Sequence, residues 1–299
     1  MKPKIPTYSI IAFFLLKVTQ LSLGQVSNID QETTYSSRLK NPITTQLKTD
    51  TTNIDLYVNN SSFYPYIVEI EFKDFRNLSP RVFNKKTTVF PGPNKFVSFK
   101  IVNRYEEPVL SYQTKYYMAP SNIGDERYSP YLIPIGKNKT VRLSNDQQEE
   151  NRLFIDQFIL SSGDTVFCSR KGIVTALPDN INEVDRITNN SLEIRHDDGT
   201  IAVYLGIDPS KNMVKLGQKV YPSQSIGIID KANKLTFKVY EILPDARIKS
   251  FEIYYPGPDN QQLSSYKINK TLVVYPTDII KKEMSKKEIS KYSKNNLFK

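Results

Sequence analysis

A single cysteine, Cys168, excludes an intrachain disulfide, so the folded chain must be held by its core. Cys168 sits in the apolar run DTVFCSRKG without an evident partner base, and reads as a small buried side chain rather than a nucleophile. A single histidine, His196, excludes any chemistry that needs two imidazoles. Ser-His-Asp hydrolysis would have to use that one residue, and no G-x-S-x-G elbow supports it. No motif singles out a carboxylate pair for glycoside hydrolysis. With only 11 glycines in 299 residues, a collagen-like or low-complexity chain is excluded. Tryptophan is absent, but 19 Tyr and 15 Phe favour strands over helices. The sequence also lacks a run long enough to cross a bilayer. Tyr8 to Leu16 is uncharged, and Lys17 ends it far short of the roughly 20 residues needed.

That short run is instead the heart of an expected export signal over residues 1–24. Lys2 and Lys4 precede it, and Ser22 and Gly24 stand at −3 and −1 of a cut before Gln25. The expected product is exported to a periplasm, the extracellular space or the cell envelope, with no transmembrane segment after cleavage. Net charge is +10, but three signal lysines and +5 over residues 281–299 leave only +2 for the residues between. A nearly neutral body, with no basic patch interleaved with aromatics, argues against a nucleic-acid role.

Five segments are expected. After the signal comes a polar, Thr/Ser-rich lead-in over 25–50. Residues 51–145 read as an immunoglobulin-like antiparallel β-sandwich. Ile54, Leu56 and Val58 alternate with polar residues, as do Val68, Ile70 and Phe72, and Val97, Phe99 and Ile101, with the breaker FPGPN between. Residues 146–275 form a second β block. Its hairpin SLEIRHDDGTIAVYLG places Leu192, Ile194 and His196 on one face, turns at Asp198-Gly199, and returns through Ile201, Val203 and Leu205. Residues 276–299 form a basic helical tail, with Thr277 as a cap and Ser285 and Glu288 spaced as a capping box. The tail reads as a solvated helix end. The fold class is mainly β, closed by a short C-terminal helix.

Four stretches in order carry a resemblance: SGDTVFCSRKGIV (162–174), LEIRHDDGTIAVYLGI (192–207), VKLGQKVYPSQSIGI (214–228) and KLTFKV (234–239). Together they resemble the β-sheet core of the lysostaphin/LytM-type zinc metallopeptidases, which cut peptide cross-bridges in peptidoglycan. The resemblance implies a duplicated-hybrid-motif-like sheet at 146–275. It also implies zinc held by an H-x-x-x-D pair and the second His of H-x-H. The first His of H-x-H and the His of Y-x-H would handle protons and the oxyanion.

The corresponding positions of this chain lack those residues. H-x-H reads Lys234 and Thr236, and Y-x-H ends on Gly206. H-x-x-x-D falls on Leu153 and Gln157, or one residue earlier on Arg152 and Asp156. Leu153, Gln157, Gly206, Lys234 and Thr236 are the vestigial cleft positions, with no catalytic residue, no metal ligand and no cofactor expected. Tyr204, His196 and Lys234 are the candidate groove-binding residues. The Lys234 ammonium is expected near the vacated metal position.

The expected function is therefore a non-catalytic pseudoenzyme that binds a cell-wall peptide or regulates a peptidoglycan hydrolase partner. The alternatives are an active zinc endopeptidase with rearranged ligands, and an envelope scaffold whose sandwich binds a partner protein.

Overall fold

In the computed structural model, residues 20–22, 42–122, 130–144, 154–178, 191–245, 247–265 and 269–294 are described. Most of the expected signal and lead-in, together with Arg152 and Leu153, lies outside them. The chain divides into two compact units. Among the described residues, the first comprises residues 20–22, 43–60 and 67–117, and the second residue 42, residues 61–66 and those from 118 to 294.

The first unit is the sandwich. One sheet runs in the order Ile43–Thr49, Asn53–Asn60, Gly92–Ile101, Leu78–Ser79. The other runs Gln20–Ser22, Val109–Met118, Tyr66–Arg76, Asn84–Val89. The alternating residues do what their period dictates: Ile54, Leu56, Val58, Val68 and Ile70 are wholly buried. Rings from the two sheets interlock, with Phe72 edge-on to Phe99 at 5.4 Å between centroids. Burial of each such side chain contributes about 1.5–3 kcal/mol.

Three expectations are corrected here. Residues 43–49 belong to the sandwich, since their backbone pairs with 53–60 from Ile43–Asn60 to Thr49–Ile54. A bulge between Leu56 and Tyr57 shifts the register, so Phe96 rather than Val97 turns inward. The unit ends at residue 117, because Tyr131, Leu132, Ile133 and Ile135 are buried in the second unit's cores.

The second unit is built on a nine-stranded sheet. Its order is Lys219–Val220, Gly172–Ala176, Ser191–Arg195, Ile201–Leu205, Lys234–Ile242, Asp156–Ile159, Thr140–Ser144, Lys270–Leu272, with Ile248–Ser250 beside the Lys234 strand. The 191–205 hairpin forms as expected, with Gly199 at φ +84° in its turn. Its two arms bury both faces. Leu192 and Ile194 pair with Tyr204 and Ala202 on the core side, whereas Val203 pairs with Glu193 on the other.

The C-terminal tail is not a solvated helix end. Helices Thr277–Lys281 and Lys286–Lys294, with the turn between them, bury Ile280, Met284 and Tyr292 against Leu132. The capping box forms: the Glu288 carboxylate accepts from the Ser285 backbone N–H at 2.8 Å, and Ser285 Oγ accepts from Glu288 N–H at 3.3 Å. Pro276, not Thr277, occupies the first helix's cap position. No helix among the described residues is long and apolar enough to cross a membrane.

Candidate functional site

Alternation along the Lys234–Ile242 strand sends Leu235, Phe237 and Val239 into the core. Lys234, Thr236, Lys238 and Tyr240 stand on the opposite, half-open face. Thr236 pairs with Gln157 on one side and with Leu205 on the other. Lys234 pairs with Ile159. Of the five candidate cleft positions, Gln157, Lys234 and Thr236 thus share one face, and Gly206 follows Leu205, the other neighbour of Thr236, against the Lys234 backbone; Leu153 lies outside the described residues.

The register also decides between the two readings of H-x-x-x-D. Asp156 pairs with Phe237 and is buried on the core side, where Tyr255 Oη donates a hydrogen bond to Oδ2. Burial pushes its carboxyl up from 3.8 to about 6, against hydrogen bonds from Tyr255 and Ser265. Gln157 is the residue beside Thr236.

Gly206 holds φ +100°, and a Cβ there would lie inside van der Waals contact of the Lys234 carbonyl oxygen. Glycine is demanded by this close approach, which leaves no room for an imidazole. The site consequently offers an amide, a hydroxyl, an ammonium and a bare backbone. Zinc sites are built from imidazole, thiolate and carboxylate, and an ammonium repels a dication. These side chains do not fit zinc. Among the described residues, no group of three His, Cys, Asp or Glu side chains is placed to share a metal.

Of the candidate groove residues, only Lys234 stands on the open face. Tyr204 is fully buried in the core, its hydroxyl oxygen accepting from the Ser169 N–H at 3.0 Å. His196 is also fully buried on the core side, with its ring 5.6 Å from that of Tyr131. Its Nδ1 lies 2.8 Å from the Lys171 carbonyl, which can only accept, so Nδ1 carries the proton. Nε2 is buried with no hydrogen-bond partner among the described residues. Burial, reinforced by the charge of Arg170, pushes the imidazole down to about 4, so it stays neutral. Both residues are there to pack and to hold the hairpin.

Asp198, expected as an ordinary turn residue, does more. It accepts from Arg170 Nη1 at 2.7 Å and from the Thr200 N–H at 2.9 Å. Burial raises its carboxyl, but the charge of Arg170 and the hydrogen bonds from Thr200 outweigh that and leave it low. Arg170 also donates to Tyr131 Oη at 3.1 Å and to Glu283 between the two helices. This buried network ties the hairpin turn to the tail.

Sequence reasoning missed three residues of the open face. Lys238 is half-buried beside Val203, and burial lowers its ammonium. Among the described residues, no carboxylate pairs with it. Glu193 is buried and accepts from Tyr64 Oη at 2.9 Å and Ser191 Oγ at 3.3 Å. Tyr240 is pushed up to about 12 by burial and then by the charge of Glu193. Lys238 and Tyr240 were findable from Lys234 by counting in twos. Glu193 faces away from Leu192 and Ile194 by the same rule.

No family model and no curated protein matches the chain. Similar solved structures include the catalytic domain of the antimicrobial peptidase lysostaphin from Staphylococcus simulans. It is 18% identical, with 41% of this chain and 84% of that one covered, at a TM-score of 0.27. Another is the catalytic domain of a mutant of the prophage-encoded M23 protein EnpA from Enterococcus faecalis. It is 15% identical over 41% of this chain and 93% of that one, at a TM-score of 0.30. Csd3 from Helicobacter pylori matches at 12% identity over 85% and 80% of the two chains, at a TM-score of 0.31. The solved structures that this chain is similar to thus include lysostaphin-type and M23 peptidases.

Proposed function

We propose that the protein is an exported, non-catalytic binder of cell-wall peptides. The reading rests on the four ordered landmarks of the sequence and on one geometric observation. The positions where the resemblance asks for zinc ligands or proton-handling histidines carry Gln157, Thr236, Lys234 and Gly206, on neighbouring strands. A binding face can persist without its chemistry because binding and bond cleavage use different side chains.

The test uses purified protein and isolated cell walls. Co-sedimentation with the walls, weakened by Lys234→Ala, supports the proposal. Cleavage of peptide cross-bridges that a chelator stops, with stoichiometric zinc in the protein, would establish the metallopeptidase instead.

A further inference from the structure

The open face is cationic where it crosses the site. One cross-strand row runs Lys234, Ile159, Arg142, Lys270, and paired residues project from the same side of a sheet. Lys238 stands four residues along the strand from Lys234 on that same side. Among the described residues, none of Lys234, Lys238, Arg142 and Lys270 has an ion-pair partner. Glu193, the buried acid of this face, is already occupied by Tyr64 and Ser191.

The second observation is an orphaned acceptor. Gln157 Oε1 is buried and has no hydrogen-bond partner among the described residues. A buried acceptor left unsatisfied costs about 1–3 kcal/mol, and a donor supplied by a ligand recovers it. Lys234 and Lys238 are each two positions from Thr236, the cross-strand neighbour of Gln157. Both are therefore diagonal neighbours of Gln157, about 7–8 Å away. Two lysine positions on one face thus flank one acceptor left unfilled among the described residues. Ile159 is 55% exposed in the same row and offers apolar contact.

We infer that this face holds a peptide carboxylate, with Lys238 and Lys234 as its charge partners and a peptide N–H donated to Gln157 Oε1. The inference rests on the peptide-binding reading and specifies its ligand chemistry: an anion and an amide donor in one molecule, where the resemblance asks for a metal. A half-buried ammonium strengthens the contact, because a charge pair gains more where water is partly excluded.

Calorimetric titration of the full chain with N-acetyl-dialanine and with its C-terminal amide tests it. The acid is expected to bind, and the amide to bind at least about tenfold more weakly, as loss of one ion pair implies. Lys238→Met, which keeps an unbranched side chain of similar length and removes the charge, should weaken the acid by a similar factor and leave the amide unchanged. Lys238→Arg should retain most acid binding. Equal binding of acid and amide, or wild-type acid binding by Lys238→Met, would overturn the inference. Failure to bind the acid by a chain that still sediments with cell walls overturns the carboxylate site alone. Failure of both overturns the peptide-binding reading as well.

Discussion

Gly206 and Lys234 meet backbone to backbone: the glycine α-carbon, at φ +100°, faces the Lys234 carbonyl with no room for a β-carbon. The contact fixes how the end of the Ile201–Leu205 strand passes the start of the Lys234–Ile242 strand, at the centre of the candidate site.

Gly206→Ala should therefore lower stability by about 2–4 kcal/mol, from left-handed backbone strain and the clash with a carbonyl. Chemical denaturation measures it. Gly206→His should be at least as damaging and create no metal site. A His variant as stable as wild type would show that the two strands part easily.

Added zinc should leave the thermal midpoint of the wild-type protein unchanged, because a ligand stabilises only a state that binds it. A rise that a chelator reverses would reveal a donor set beyond Gln157, Thr236 and Lys234.

Two buried groups should oppose each other in acid. The folded-state value of His196, about 4, lies below its ordinary 6.5, so stability falls as pH drops from 6.5 towards 4. The folded-state value of Asp156, about 6, lies above its ordinary 3.8, so stability rises as pH drops from 6 towards 3.8. Each effect reaches about 3 kcal/mol at its limit. Wild-type stability should be nearly flat between pH 4 and 6. Asp156→Asn should lose stability on acidification across that window, and His196→Gln should gain it. Urea midpoints at several pH values check both slopes.

Arg170→Ala should cost about 3–5 kcal/mol, since it leaves Asp198 and Glu283 without their buried cation. The C-terminal helices should become protease-sensitive before the rest of the unit unfolds. Arg170→Lys keeps the charge but loses the forked contact to Tyr131, Asp198 and Glu283, and should recover only part of the loss. Limited proteolysis with mass analysis reads the order of cleavage.

Ser285→Ala removes the hydroxyl of the capping box and should cost about 1 kcal/mol. Protection of amide protons in Lys286–Lys294 against exchange should fall with it.

The sequence by itself determined the β class, the sandwich strands around Ile54, Val68 and Phe99, the 191–205 hairpin and the capping box. Each depends on a local period or a local cap, which nearby residues set. It also determined that one imidazole must serve the whole chain. Only the tertiary structure decided the rest. It chose Gln157 over Asp156 as the neighbour of Thr236, because register is a property of paired strands and a one-residue slip reverses every face. It buried Tyr204 and His196 and left Lys234 and Lys238 on the open side, since both faces of the hairpin are covered and no periodicity distinguishes them. It docked the basic tail through Tyr292, Glu283 and Arg170, contacts between residues more than a hundred positions apart or a single aromatic in a charged run. Long-range burial and pairing, not local propensity, set which side chains a ligand can reach.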